Sequence, residues 1–292
     1  EIMWRNYAGA RVIIDGGSTA ANVMALACSY NWFWGLEVIQ SSALSPSRDN
    51  SGFSDAGSNN KVINCVIHDN TGSGISSFAA GQKGEYYGNV IYYNGRFDDR
   101  PYNQADYGIY SQNPAANGAK RYTDNTIILN WGNYPIHFYG QSASLDSFLV
   151  VGNVTYAVNS GGFLLGGTMS SGARYNTVDS NYMYGTDPLG HGIFNLGYAI
   201  FGSGANNTKV RDNYILQGKF YWNTSNATIT MTGNMIYGSL VGFTENSYPS
   251  NTYYTTPSWP GTPTPPTSNT YVVRRNRYEP TKFMVWVMNF KD

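Results

Sequence analysis

Asp124-Asn125-Thr126-Ile127, Gly152-Asn153-Val154-Thr155, Ser180-Asn181-Tyr182-Met183, Asp212-Asn213-Tyr214-Ile215 and Gly233-Asn234-Met235-Ile236 are copies of one phrase. Each has a small or polar residue, an asparagine, any residue, and then a residue that is apolar in nearly every copy. Ile63-Asn64-Cys65-Val66 and Gly88-Asn89-Val90-Ile91 read as earlier copies, and successive asparagines from Asn64 lie 25, 36, 28, 28, 32 and 21 residues apart. Gly35-Leu36-Glu37-Val38, 28 residues before Asn64, reads as a still earlier copy with leucine in the asparagine position. A second segment follows a glycine-rich gap: Gly74-Ile75-Ser76, Gly108-Ile109-Tyr110, Pro135-Ile136-His137, Gly162-Phe163-Leu164, Gly192-Ile193-Phe194 and Lys219-Phe220-Tyr221. Its apolar residue recurs at intervals of 34, 27, 27, 30 and 27. Both segments therefore share one period.

Strand-length pieces repeating about every 25 to 35 residues, with turns and no helical stretch between them, predict a solenoid whose coils stack strand on strand. The asparagine column has a physical reason. A side-chain amide both donates and accepts, so it can bond to the same amide one coil above and one below while occupying a bend. Two positions on, the column reads Val66, Ile91, Ile127, Thr155, Met183, Ile215 and Ile236, which the alternation of a strand turns inward.

Composition supports an all-β chain. Of 292 residues, 33 are glycine and 32 asparagine, both poor in helix interiors. Lysine plus arginine equals aspartate plus glutamate at 18 each, and charged residues make up 12%, about half the usual fraction of a soluble domain. A nucleic-acid partner is excluded, because it would require a net basic footprint. No apolar run is long enough to insert in a membrane as a helix. The two cysteines, Cys28 and Cys65, can bridge or remain thiols, but cannot build a zinc site.

The chain resembles the right-handed parallel β-helix of the pectate-lyase-like superfamily, with about eight coils between residues 10 and 243. Arg11-Val12-Ile13-Ile14-Asp15-Gly16, Tyr30 to Glu37, Gly108 to Asn113, Ile136 to Gly140 and Tyr278-Glu279-Pro280 are similar to landmarks of secreted bacterial β-helix repeat proteins, mostly without assigned activity. The resemblance implies an extracellular or cell-surface protein, a capping region before Glu1 and further strands after Asp292. One departure stands out. Relatives often carry His-Gly-His-Gly-Ile-Tyr where this chain has Ala105-Asp106-Tyr107-Gly108-Ile109-Tyr110, so no role for those histidines carries over.

The expected organisation is a solenoid over residues 1–243, a linker or strap over 244–270 holding prolines 249, 257, 260, 263, 265 and 266, and a short β segment over 271–292 that caps the last coil. Charges concentrate between Lys83 and Asp124, where a longer coil inserts Arg96 to Asp106 before the Gly108 strand. Alternation turns Tyr110 and His137 outward, with Gln112 and Tyr139 two residues on, so stacking predicts a solvated aromatic ledge beside that insertion. Aromatic rings among acids, bases and amides suit a polysaccharide.

The sharpest expectation is β-elimination on an acidic glycan, with His137 as base, Tyr110 or Tyr139 as acid and Lys83 or Arg121 as the neutralising cation. Gln112, Asp98, Asp99, Arg100, Asp106 and Tyr107 are the expected binding residues. Asp98, Asp99 and Asp106 could instead pair for glycoside hydrolysis or hold calcium, without a full ligand set. His68-Asp69 and His191 read as turn residues. A non-catalytic alternative is a self-assembling surface or filament protein stacked end to end, which low charge would favour.

Overall fold

The structure is a computed structural model. It describes residues 1–41, 50–96, 106–114, 117–132, 134–140, 145–158, 162–166, 172–186, 192–197, 205–222, 228–255 and 270–288.

The repeats build a parallel β-helix, whose winding takes the right-handed sense favoured by parallel crossovers. One wall is a nine-stranded sheet in which each strand pairs with its counterpart a full coil away: Ile2–Arg5, Asn31–Trp34, Lys61–Ile63, Glu85–Tyr87, Lys120–Thr123, Phe148–Val151, Thr177–Asp179, Lys209–Arg211 and Thr230–Thr232. A larger sheet of seventeen strands carries the two remaining segments of the coils, and a small three-stranded sheet forms from Leu145–Asp146, Ala173–Arg174 and Ala205–Asn206. Every pairing among these described strands is parallel; only the C-terminal hairpin, Thr270–Arg275 with Phe283–Met288, is antiparallel.

Two corners explain the repeated phrase. Gly35, Asn64, Gly88, Asp124, Gly152, Ser180, Asp212 and Gly233 all have φ between 51° and 70°. This left-handed bend is open to glycine and tolerated by Asn and Asp, hence the small or polar residue before each asparagine. The next residue is the rung. Asn89, Asn125, Asn153, Asn181, Asn213 and Asn234 each donate Nδ2 to the Oδ1 of the rung above at 2.7 to 2.9 Å, ending at Asn251. Asn64 is not a rung, contrary to expectation. It occupies the bend, and Cys65 takes the rung, donating its backbone N–H to Asn89 Oδ1 at 2.9 Å. The inward residue of that coil is accordingly Ile67 and not Val66.

A second ladder escaped the sequence reading. Gln40, Asp69, Tyr93 and Leu129 adopt φ of 51° to 58°, followed by Ser41, Asn70, Asn94 and Asn130. Asn70 donates to Asn94, and Asn94 to Asn130, at 2.9 Å each. Inside runs an apolar column of Ile75, Ile109, Ile136, Phe163, Phe194 and Phe220. Phe194, not the expected Ile193, pairs with Phe163, because Ile193 stands in the position that Gly162 holds one coil earlier. Cys28 and Cys65 are free thiols, and burial pushes Cys65 up to about 12.

Two expected boundaries shift. Thr252–Thr255, placed in the strap by sequence, pairs in parallel with Met235–Val241 as a further solenoid strand. The prolines at 257, 260, 263, 265 and 266 lie outside the described residues. The hairpin does not seat its tip on the last coil but docks it on the flank. Tyr278 packs edge-on against Trp32, Trp34 and Tyr87. Glu279 accepts from Asn64 at 2.6 Å, Tyr278 donates to Glu85 at 2.9 Å, and Arg274 bonds Asp124 at 3.1 Å. The Tyr278-Glu279 landmark is thus a lock on the side of the stack.

Candidate functional site

The outer face of the strands Ile109–Ser111 and Ile136–Phe138 holds the expected group. Tyr110 stands directly opposite His137 one coil away, with Ser76 on the far side of Tyr110 and Leu164 on the far side of His137. Five rings converge there. The centroid of His137 lies 4.3 Å from Tyr107, 5.3 Å from Tyr134, 5.5 Å from Tyr139 and 5.8 Å from Tyr110. Gln112 donates Nε2 to the Tyr110 hydroxyl at 2.7 Å and accepts from the Ala79 backbone at 3.1 Å, which fixes the amide and the phenol together.

The ledge is not solvated, however. His137 is only 8% exposed, Tyr110 is fully buried, and Tyr107, Tyr110, Tyr134 and Leu164 form their own apolar cluster with Phe78 and Tyr139 against it. Period-2 alternation states which side of a sheet a residue faces, but not what folds over it. The turns entering these strands carry Tyr107 and Tyr134, and those rings close over the face. Tyr139 remains partly exposed. A nearly closed box of tyrosines replaces the expected open ledge.

The expected cations are elsewhere. Arg121 lies on the nine-stranded sheet opposite Glu85, and Lys83 is an exposed bend residue, φ 55°, whose stem passes Gly118. Neither shares the strands of His137, because their segments belong to another wall of the coil. Asp106 is fully buried. Its Oδ2 accepts the Arg96 backbone N–H at 3.0 Å and its carbonyl accepts Gly132 N–H at 2.7 Å, so it closes the base of the insertion. Asp98, Asp99, Arg100 and His191 lie outside the described residues. Among the described residues no group of three or more His, Cys, Asp or Glu is placed to hold a metal.

Two charged clusters were not foreseen. Lys120 is completely buried, with Nζ donating to Ser77 Oγ at 2.8 Å, Phe78 O at 2.8 Å, Gln112 O at 2.7 Å and Ser77 O at 3.3 Å. Ser77 Oγ also accepts from Tyr86, whose hydroxyl lies 2.6 Å from buried Asp55. Tyr122 stacks on Tyr86 at 4.7 Å and donates to Ser111 at 2.7 Å. Burial holds Lys120 down to about 7, partly offset by Asp55, and pushes Asp55 and Tyr86 up. The alternation Lys120-Arg121-Tyr122 could have shown Lys120 facing inward with Tyr122.

On the surface, Arg11 grips Glu37 through two bonds of 2.5 and 2.6 Å. Those bonds hold Glu37 down to about 2, against the opposing effect of burial, with His68 helping. His68 lies between Glu37 at 3.0 Å and Asp69 at 2.7 Å, with Tyr92 stacked on its ring at 4.6 Å. His68 therefore bridges two carboxylates as well as ending a strand.

No protein-family model matches the chain, and no curated protein matches it. Among solved structures it is similar to pectate lyase Pel9A, at 17% identity over 83% of this chain and 53% of that one, with a TM-score of 0.43. It is also similar to DFA-IIIase from Arthrobacter chlorophenolicus A6 in complex with GF2, at 11% identity over 82% and 56%, with a TM-score of 0.41. The chain thus spans about half the length of each, and the likeness is one of fold.

Proposed function

We propose that this chain is a carbohydrate-active or carbohydrate-binding β-helix protein, with the tyrosine box around His137 as its glycan site. The observation that carries the reading is the convergence of four phenol rings on one imidazole, on the outer face of stacked strands. Rings take the apolar faces of a sugar while hydroxyls and the Gln112 amide take its polar edges. Tyr139, at the partly exposed margin, marks the way in.

For a uronate-containing chain the set supports β-elimination. His137 accepts the proton alpha to the carboxylate, the bond from the neighbouring ring carbon to the glycosidic oxygen breaks, and a tyrosine hydroxyl returns a proton to that oxygen. Charge developing on the carboxylate needs donors nearby. With Lys83 and Arg121 on another wall and Lys120 committed to four oxygens, the donors of this reading are the tyrosine hydroxyls and the second amide hydrogen of Gln112, whose first bonds Tyr110. Action on external polysaccharide implies a secreted or cell-surface location.

The test is a glycan panel read for unsaturated-uronate absorbance and for reducing ends. Turnover of an acidic glycan is expected to fall by about 100-fold or more in His137→Ala, the usual loss for a general base, and to fall in Tyr110→Phe. Absence of product on every acidic glycan removes the lyase reaction, and product unaffected by either change removes the site.

A further inference from the structure

A second surface, on different strands, carries a row of tyrosines running along the solenoid axis. On the larger sheet Tyr156 pairs with Tyr184, Tyr184 with Leu216, Leu216 with Tyr237 and Tyr237 with Tyr254. The adjoining outward column aligns Tyr182 with Tyr214. Thr155, Met183, Ile215 and Ile236 alternate with them and face the core. Tyr156 is 37% exposed, and Tyr182, Tyr184, Tyr214, Tyr237 and Tyr254 are partly exposed. The rings of Tyr156 and Tyr184 stack at 5.1 Å with planes only 2° apart. The stacked faces of Tyr156 and Tyr184 are spent on each other, so that pair presents edges and hydroxyls, while Tyr237 and Tyr254, beyond Leu216, are tilted at 57° to one another.

The shape of the strip limits its occupant. Two outward columns are about 7 Å apart, and the four steps from Tyr156 to Tyr254 cover about 19 Å. That is a narrow band, well short of the roughly 800 Å² that each partner of a stable protein interface buries. It fits one extended polymer lying parallel to the axis. Charge limits it further. The other positions in these columns are Val154, Leu216, Met235 and Thr252, with Leu216 buried between Tyr184 and Tyr237, so none of the described residues in the two columns is an acid or base. A chain of carboxylates would find no cation here to offset its desolvation.

We propose that this tyrosine row is a binding face for an uncharged, polyhydroxylated glycan chain, laid along the solenoid axis and held by the repeated hydroxyls and ring edges. The inference rests on the carbohydrate reading but names a different surface and a neutral ligand, so it separates binding from any cleavage at His137.

Affinity electrophoresis through gels containing glucomannan, hydroxyethylcellulose or polygalacturonate tests it. Retardation is expected in a neutral glycan gel and not in polygalacturonate. The double variant Tyr156→Ala/Tyr184→Ala should raise Kd at least about tenfold, equivalent to about 1.4 kcal/mol. Tyr184→Phe, which keeps the ring and removes the hydroxyl, should fall between. Tyr175→Ala, an exposed bend residue away from the row, should match the parent chain. Retardation that survives the double variant, stronger retardation by polygalacturonate, or self-association that the double variant abolishes would each overturn the proposal. Loss of retardation with an altered melting temperature is resolved by Tyr184→Phe, which must still weaken binding. Failure to cleave any glycan leaves this result untouched, and absence of retardation leaves the His137 site untouched.

Discussion

Asn125→Ala is expected to lower the stability of the folded chain by about 3 kcal/mol or more. Asn125 Oδ1 accepts both the backbone N–H and the Nδ2 of Asn89, at 3.0 and 2.9 Å. Its own Nδ2 donates to Tyr86 O at 2.9 Å and to Asn153 Oδ1 at 2.8 Å. Alanine removes all four bonds at a site with no exposure, leaving the Asn89 N–H without its acceptor where water cannot replace it. Each buried orphan costs about 1–3 kcal/mol, more than the net value of the bond that was lost. Asn125→Asp keeps an acceptor but loses the donor, and sets a carboxylate against Asn153 Oδ1, so it should be at least as damaging. Asn251→Ala breaks a comparable pair of contacts at the end of the ladder, where the side chain is half-buried and water can substitute, so about 1 kcal/mol is expected there. Denaturant midpoints check the ranking. Equal shifts for Asn125→Ala and Asn251→Ala would show that the ladder does not carry the stack.

That same column marks how far the sequence could be read. The phrase around Asn125, Asn153, Asn181, Asn213 and Asn234 is legible because a bend and a self-pairing amide recur at every coil, and few residue types satisfy both. Where the residue types relax, the register slips. Asn64 can occupy the left-handed bend as well as a rung, so a register matched on asparagine alone lands one residue early and hides Cys65. The second ladder was missed because its bends are Gln40, Asp69, Tyr93 and Leu129, which share no chemistry visible in the chain. The site divides in the same way. Strand pairing puts Tyr110 opposite His137 as alternation requires, yet their burial depends on Tyr107 and Tyr134, which sit in turns outside any repeat. The docking of Tyr278 on Trp32 and Trp34 joins residues more than two hundred positions apart, with no periodicity to announce it.

The buried Lys120 leads to the second large effect: the chain should become more stable as pH rises from about 7 toward 10. The folded-state value of Lys120 is held down to about 7, against an ordinary 10.5. Between those limits the unfolded chain keeps the proton and the folded chain releases it, so the unfolded state binds more protons and stability climbs with pH. The slope is at most about 1.4 kcal/mol per pH unit, giving up to about 4 kcal/mol by pH 10. Below about 7 both states are protonated and Lys120 adds no slope. Above pH 10 the buried Tyr86 and Tyr122, pushed upward by burial, resist ionising in the folded state and turn the curve down again. Lys120→Met fills the same space without a charge. It leaves Gln112 O without the ammonium, at about 1–3 kcal/mol, while Phe78 O keeps the Gly81 N–H, and it removes a buried-charge penalty of several kcal/mol. The two nearly cancel, so the level at pH 7 decides little and the slope decides the matter. Asp55, pushed up from 3.8 by burial, contributes in the opposite sense: its stability is present at low pH and lost as pH rises through its folded value. Asp55→Asn should therefore flatten the acid side and Lys120→Met the alkaline side. Melting temperatures at half-unit steps from pH 3 to 10 read both. An alkaline rise that persists in Lys120→Met would mean that the ammonium is not the group being titrated, and that the four-oxygen cradle holds it charged throughout.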